Sequence, residues 1–250
     1  MKLLKIIVTS LGVVAASYLN MSCDKTNSER IGTVDTDFSN TTLVQVFNAT
    51  VGSAGATNVF VDGSPVTGAA VTYGSVFPAT YAFKVKPGLR SFSIRDVTAG
   101  STQTPIIFAE NMEVGKNYTI FTYDTSTSAK QITIVNNIIT PSDSTARVKF
   151  ANFLYWKTGT APAVDVYSVK RGQNIFSGIL PTQATDYIPF AFSSADSLIV
   201  RTAGTGIALD TAVFSFTPKR NYTLIFRGRY ANNEAGGATA PRTLSSFANK

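Results

Sequence analysis

Apolar and polar residues alternate one by one along much of the chain. Tyr81, Phe83 and Val85 take turns with Ala82, Lys84 and Lys86, and Phe92 and Ile94 with Ser91, Ser93 and Arg95. Further on, Val164, Val166 and Ser168 alternate with Asp165, Tyr167 and Val169. A period of two places successive side chains on opposite faces of a strand. Turn formers such as Asp62-Gly63 and Pro87-Gly88 separate the alternating runs. Beyond Ser22 no window sustains the 3.6-residue period of a helix. About six to eight short strands per 100 residues, each with one apolar face, predict two antiparallel sheets packed as a sandwich.

The pattern occurs twice. Asn117-Tyr118-Thr119-Ile120-Phe121, preceded by Lys116, returns as Asn221-Tyr222-Thr223-Leu224-Ile225, preceded by Arg220. Asn48, closing Val44–Phe47, returns at the same offset as Asn152, closing Val148–Ala151. Tyr81 and Arg95 have counterparts in Tyr187 and Arg201 at an offset two residues longer. A repeat of about 100 residues means tandem domains rather than a solenoid of short units. The expected fold class is all-β: two tandem immunoglobulin-like or transthyretin-like antiparallel β-sandwiches, residues 41–139 and 147–250, joined by a polar linker at 140–146. Their last strands are expected at 131–135 and 242–247.

The N-terminal segment has a different layout. Lys2 and Lys5 precede an apolar run from Ile6 to Ala16. About eleven helical residues would reach roughly 16 Å, too short for a hydrocarbon core of about 30 Å, so residues 1–22 read as a signal peptide. Ser22-Cys23 resembles the lipobox of bacterial lipoproteins. That resemblance implies diacylation of Cys23 and a membrane anchor, each buried CH2 contributing about 0.8 kcal/mol. Residues 23–40, polar and poor in apolar side chains, read as a flexible tether.

Ala146–Asn152 (ARVKFAN), Ala161–Tyr167 (APAVDVY) and the turn Ser177-Gly178 together resemble the domain of unknown function 4397 family. The first copy keeps the pattern loosely in Val44–Asn48, Asn58–Gly63 and Thr67-Gly68. The resemblance implies an extracytoplasmic β-sandwich, often lipid-anchored. It implies no activity and no catalytic residues.

Composition narrows the chemistry. The chain contains no His and a single Cys, which removes His-based triads, most transition-metal sites and any internal disulfide. Glu110 and Glu113 fall on opposite faces of a strand. Asp210-Thr211-Ala212 has neither the glycine nor the second loop of an aspartic protease. Asp35-Thr36-Asp37 and Asp62-Gly63-Ser64 lack the ligand spacing of a calcium loop and read as tether and hairpin turn. No enzyme activity, cofactor or metal is expected; convergent carboxylates of a carbohydrate-processing enzyme are the catalytic alternative.

Two features suit binding. Phe153-Leu154-Tyr155-Trp156-Lys157 follows the Asn152 strand where the first copy has only Ala49-Thr50-Val51-Gly52. Tyr and Trp in such a loop can stack on a sugar or anchor a protein. Residues 147–250 also carry twelve Lys and Arg against five Asp and Glu, whereas 24–146 carry eight against ten. Lys219, Arg220, Arg227 and Arg229 flank one strand of that basic half. The candidate ligand-binding residues are therefore Tyr155, Trp156, Arg227 and Arg229.

The expected protein is a non-catalytic binding, adhesion or scaffolding module, lipid-anchored at the outer membrane. Its partners would be the membrane through Cys23, and a glycan, lipopolysaccharide or envelope protein. Nucleic acid is not expected, since no reading motif is present. A structural envelope component without a specific ligand is the alternative. Asp143-Ser144-Thr145 in the linker also resembles an O-glycosylation acceptor of some envelope bacteria.

Overall fold

The computed structural model describes residues 40–53, 57–191, 195–231 and 240–249. The signal segment, Cys23, the tether and Asp35-Thr36-Asp37 lie outside the described residues. Contacts group Phe38–Lys250 into one compact unit. Among the described residues no helix is long and apolar enough to cross a membrane.

The first copy runs through β1 (Thr42–Asn48), β2 (Thr57–Val61), β3 (Ser64–Pro65), β4 (Val76–Phe77), β5 (Phe83–Val85), β6 (Gly88–Asp96), β7 (Ile106–Met112), β8 (Asn117–Tyr123) and β9 (Lys130–Asn136). The second contains β10 (Ala146–Tyr155), β11 (Val164–Ser168), β12 (Gln173–Ile179), β13 (Ile188–Phe190), β14 (Asp196–Thr202), β15 (Ala208–Phe214), β16 (Asn221–Arg229) and β17 (Thr243–Ala248). Each copy builds two sheets. The first has β4-β1-β8-β9, with β5 also on β1, and β3-β2-β6-β7. The second has β13-β10-β16-β17 and β12-β11-β14-β15. The all-β sandwich architecture read from the alternation is what forms.

The pairing departs from a purely antiparallel sandwich at one place in each copy. β1 pairs with β8 in parallel, Leu43 opposite Asn117, and β10 pairs with β16 in parallel, Arg147 opposite Asn221. The first strand of each copy thus lies beside its next-to-last. Between the two, the chain crosses to the other sheet and back, so it enters both positions in the same direction.

The repeated residues turn out to hold equivalent joints. Tyr118 Oη accepts a hydrogen bond from the Glu113 N–H, and Tyr222 Oη from the Thr217 N–H, both at 3.2 Å. This is the corner arrangement of many sandwiches, a tyrosine hydroxyl pinning the turn before its own strand. Asn48 Oδ1 accepts from the Thr50 N–H and its amide donates to the Val71 carbonyl. Asn152 repeats this with the Leu154 N–H and the Ile179 carbonyl. Arg95 lies over Phe60 and Arg201 over Tyr167, at 4.5 and 3.8 Å from the ring centroids. The Tyr81–Tyr187 correspondence fails. Tyr81 is exposed, at φ 66° outside β5, while Tyr187 is half-buried and donates its hydroxyl to Asn249 Oδ1.

Other motif residues also have local explanations. Asp62 and Gly63 both have positive φ, 49° and 80°, as the tight turn from β2 to β3 requires. The Asp62 carboxylate takes the Ser91 N–H and pairs with Arg90, which holds its pKa below the usual carboxylate value. In the second copy the Asp165 carboxylate is buried. It accepts from the Gly178 N–H at 2.7 Å, the Gly204 N–H at 3.1 Å and the Asn174 amide at 3.1 Å. Asp165 therefore ties β11 to the Ser177-Gly178 turn, where Gly178 sits at φ 68°. The linker is likewise held in place: Asp143 Oδ1 accepts the Thr145 N–H and hydroxyl, and the Thr145 carbonyl accepts the Lys219 N–H.

Each sandwich has its own apolar core, centred on Phe92 and Ile120 in the first and on Phe150 and Leu198 in the second. A third cluster lies between them, built from Phe47, Phe121, Phe153, Ile225 and Phe247. Phe121 stacks on Phe153 at 4.6 Å and Phe47 on Phe247 at 5.2 Å. The central strands β1, β8, β10 and β16 are consequently buried on both faces and lose the alternation seen elsewhere. A polar half completes this seam. The Asn249 amide donates to Gln45 Oε1, the Gln45 amide to the Ala248 carbonyl, and Lys149 to Asn136 Oδ1. Directional bonds of this kind fix one register between the sandwiches, which apolar packing alone would leave loose.

Candidate ligand-binding cleft

One length difference between the copies opens a cleft. β10 has ten residues where β1 has seven, and β16 nine where β8 has seven. The parallel pairing of β10 and β16 therefore continues to Tyr155 opposite Arg229. Beyond it, the Tyr230 N–H donates to the Tyr155 carbonyl at 2.7 Å. The overhang stands over the end of β8, where the first copy turns away at Asp124, φ 72°. Between them lies a cleft of about 220 Å3, lined by Tyr123 and Asp124 from the first copy and by Tyr155, Trp156, Thr160 and Thr182 from the second.

The walls are aromatic and the rim is polar. Tyr155 and Trp156 are half-buried. Trp156 packs 5.2 Å from Tyr230 at an interplanar angle of 59°. The Arg229 guanidinium lies 5.5 Å from the Tyr155 centroid, and that of Arg242 lies 6.0 Å from Tyr230. Arg242 also donates to the Tyr230 carbonyl. Gly228 allows this closeness: at φ 109°, a Cβ there would sit 2.1 Å from the Pro241 carbonyl oxygen. On the other wall Asp124 pairs with Lys130 at 2.7 Å, and its carboxylate holds the Lys130 ammonium above its usual pKa.

Arg229 lies against the Tyr155 ring, and two of the four residues singled out from the sequence, Tyr155 and Trp156, line this cleft. Arg227 does not. It is buried in the seam, donating to Ser245 Oγ at 2.6 Å and lying 5.6 Å from the Phe47 centroid and 5.5 Å from that of Tyr73. Burial pulls its pKa down and pushes that of Tyr73 up. The reason is position along the strand: Arg227 and Arg229 share a face of β16, but Arg227 is buried in the seam while Arg229, at the strand's end, is half-buried. Tyr123, Asp124, Thr160 and Thr182 were not legible as site residues. The available hint was the extra strand length at 153–155, whose partner across the seam only the fold supplies.

Two of the carboxylates weighed for chemistry, Asp62 and Asp210, have structural partners. Asp210 Oδ2 accepts the Leu244 N–H at 2.6 Å and so ties β15 to β17. Among the described residues no group of three or more His, Cys, Asp or Glu could hold a metal ion.

No protein-family model and no curated protein matches the chain. Two solved structures similar to it are carbohydrate-binding modules. One is CBMbc (family CBM26) from Eubacterium rectale Amy13K in complex with maltoheptaose, 12% identical, covering 82% of this chain and 96% of that one at a TM-score of 0.27. The other is a family 41 module from streptococcal virulence factors, from work on alpha-glucan recognition, 12% identical, covering 73% and 91% at a TM-score of 0.22.

Proposed function

We propose that the chain is a non-catalytic, lipid-anchored binding protein of the outer membrane, and that the cleft beside Trp156 takes a saccharide. The carrying observation is the meeting of Tyr123, Tyr155 and Trp156 with Asp124 and Thr160 in one cleft spanning both copies. Flat aromatic rings suit the C–H faces of a sugar, and side chains at the rim can exchange hydrogen bonds with its hydroxyls. The anchor rests on the Lys2–Cys23 layout, and the resemblance to the domain of unknown function 4397 family agrees with an extracytoplasmic location.

A glycan-binding screen of the purified full-length chain tests the first half. Saturable binding should fall about 30-fold on Trp156→Ala, the loss of about 2 kcal/mol expected for an aromatic anchor. Binding that survives the substitution, or no binding at all, overturns it. Incorporation of radiolabelled palmitate, abolished by Cys23→Ala, tests the second half.

One observation favours a second reading, a structural component without a ligand. Trp156 also packs against the core of its own sandwich, and a Cβ on Gly159 would lie 3.5 Å from its ring. On that reading Trp156→Ala lowers stability and no saccharide binds.

A further inference from the structure

One buried nucleophile has no part in the cleft. Lys149, in β10, is 2% exposed, and its ammonium donates to Oδ1 of Asn136, the last residue of β9. Asn136 is itself 4% exposed, and its Nδ2 donates to Thr119 Oγ1 at 2.7 Å. The amide is therefore held at both ends, with its carbonyl turned to the amine of the other copy. Desolvation pulls the lysine down to a pKa of about 8, and the charge of Asp186 offsets only part of this. About one amine in ten is then neutral at pH 7 and about half at pH 8. A desolvated, neutral lysine is a nucleophile. Two groups fixed in contact react as an intramolecular pair, and at 2% and 4% exposure water has little access to compete.

We infer that Lys149 and Asn136 condense into an intramolecular amide, a covalent staple between the two sandwiches. The neutral amine adds to Cγ of Asn136; the new C–N bond forms, the bond from Cγ to Nδ2 breaks, and Nδ2 departs as ammonia. One proton leaves when the ammonium is neutralised, and a second passes from the attacking nitrogen to the departing one. Nothing is oxidised or reduced. Asn136 also lines a cleft of about 350 Å3 with Lys116, Asn117 and Asn137, which gives the ammonia an exit. The linked pair brackets the connector at 140–146, so a load passing from one sandwich to the other is carried by the bond instead of by the connector.

The test is mass spectrometry of the full-length chain, purified unfolded in guanidinium chloride and then refolded. The pair meets only in the folded seam, so freshly refolded chain carries its full mass and a free Lys149, and it is the form whose stability follows the titration of that lysine. On standing, the folded chain should lose the mass of one ammonia, about tenfold faster at pH 9 than at pH 7, as the fraction of neutral amine dictates. Proteolysis should then release a branched peptide in which Asn136 is joined to Lys149. Lys149→Met and Lys149→Arg should keep their full mass, with circular dichroism verifying that each is folded. A folded natural chain that keeps its full mass through days at pH 9 overturns the inference. So does a loss of ammonia that persists in a folded Lys149 variant or yields no branched peptide, because Asn136 can also close on its own backbone at Asn137. Should neither variant fold, the presence or absence of the branched peptide decides alone.

Discussion

Lys149 offers the sharpest perturbation of the seam. Its side chain is 2% exposed, donates to Asn136 Oδ1 across the two sandwiches and lies 5.4 Å from the Tyr187 centroid. Desolvation pulls its pKa down to about 8, and the charge of Asp186 only partly offsets this. The unfolded chain holds the same proton until about pH 10.4. A base whose folded pKa is depressed makes folding release a proton, so stability is penalised below the folded pKa and recovers as pH rises through it. At neutral pH the penalty is about 3 kcal/mol, and about 2 kcal/mol of it should return between about pH 7 and about pH 9.5. Above about pH 10 the comparison ends, because the buried hydroxyls of Tyr73 and Tyr187 ionise more readily once unfolded and stability then falls. Lys149→Met keeps the aliphatic stem and removes the charge, at the cost of about 1–3 kcal/mol for an unsatisfied Asn136 oxygen. Its stability at neutral pH should match or exceed that of the natural chain. The decisive quantity is the slope. In urea unfolding followed by circular dichroism, the freshly refolded natural chain should gain about 2 kcal/mol over that window and Lys149→Met should stay flat. Equal slopes, or a natural chain without any gain, would refute the assignment of a charged lysine buried in this seam.

Two further substitutions probe the joints. Gly74 sits at φ 77°, and a Cβ there would lie 2.4 Å from the Arg227 guanidinium; Gly74→Ala should cost at least about 2 kcal/mol in denaturant unfolding, by backbone strain and by displacing Arg227. Combining it with Arg227→Ala should cost less than the sum of the two single changes, as coupled neighbours do. Tyr118→Phe and Tyr222→Phe should each lose about 1 kcal/mol, read as lowered urea midpoints, since each removes one corner hydrogen bond and little packing.

What the sequence disclosed and what it hid divide along physical lines. Strands with one wet face, such as β6 and β14, announce themselves by alternation, because Phe92, Ile94, Leu198 and Val200 point one way and their neighbours the other. The seam strands β1, β8, β10 and β16 carry no such signature, since both of their faces are covered. A run such as Val44–Phe47 reads the same whether its second face meets solvent or another sheet. The parallel pairing was hidden for a related reason: alternation is the same in either direction. Repetition exposed Asn48/Asn152 and Tyr118/Tyr222, whose roles are local to each copy. It could not expose the cleft, which exists where the copies differ and joins Tyr123 of one to Trp156 of the other. Arg227 shows the remaining gap, for a cation on a strand looks exposed in sequence until the layer above it is known.

Trp156 is the chain's single tryptophan, so its fluorescence reports on the cleft without labelling. Titrating the full-length chain with the saccharides of the glycan-binding screen should shift its emission and saturate, in parallel with the binding curve of the screen. An emission spectrum unchanged by every saccharide, in a protein shown to be folded, would contradict the cleft as a binding site.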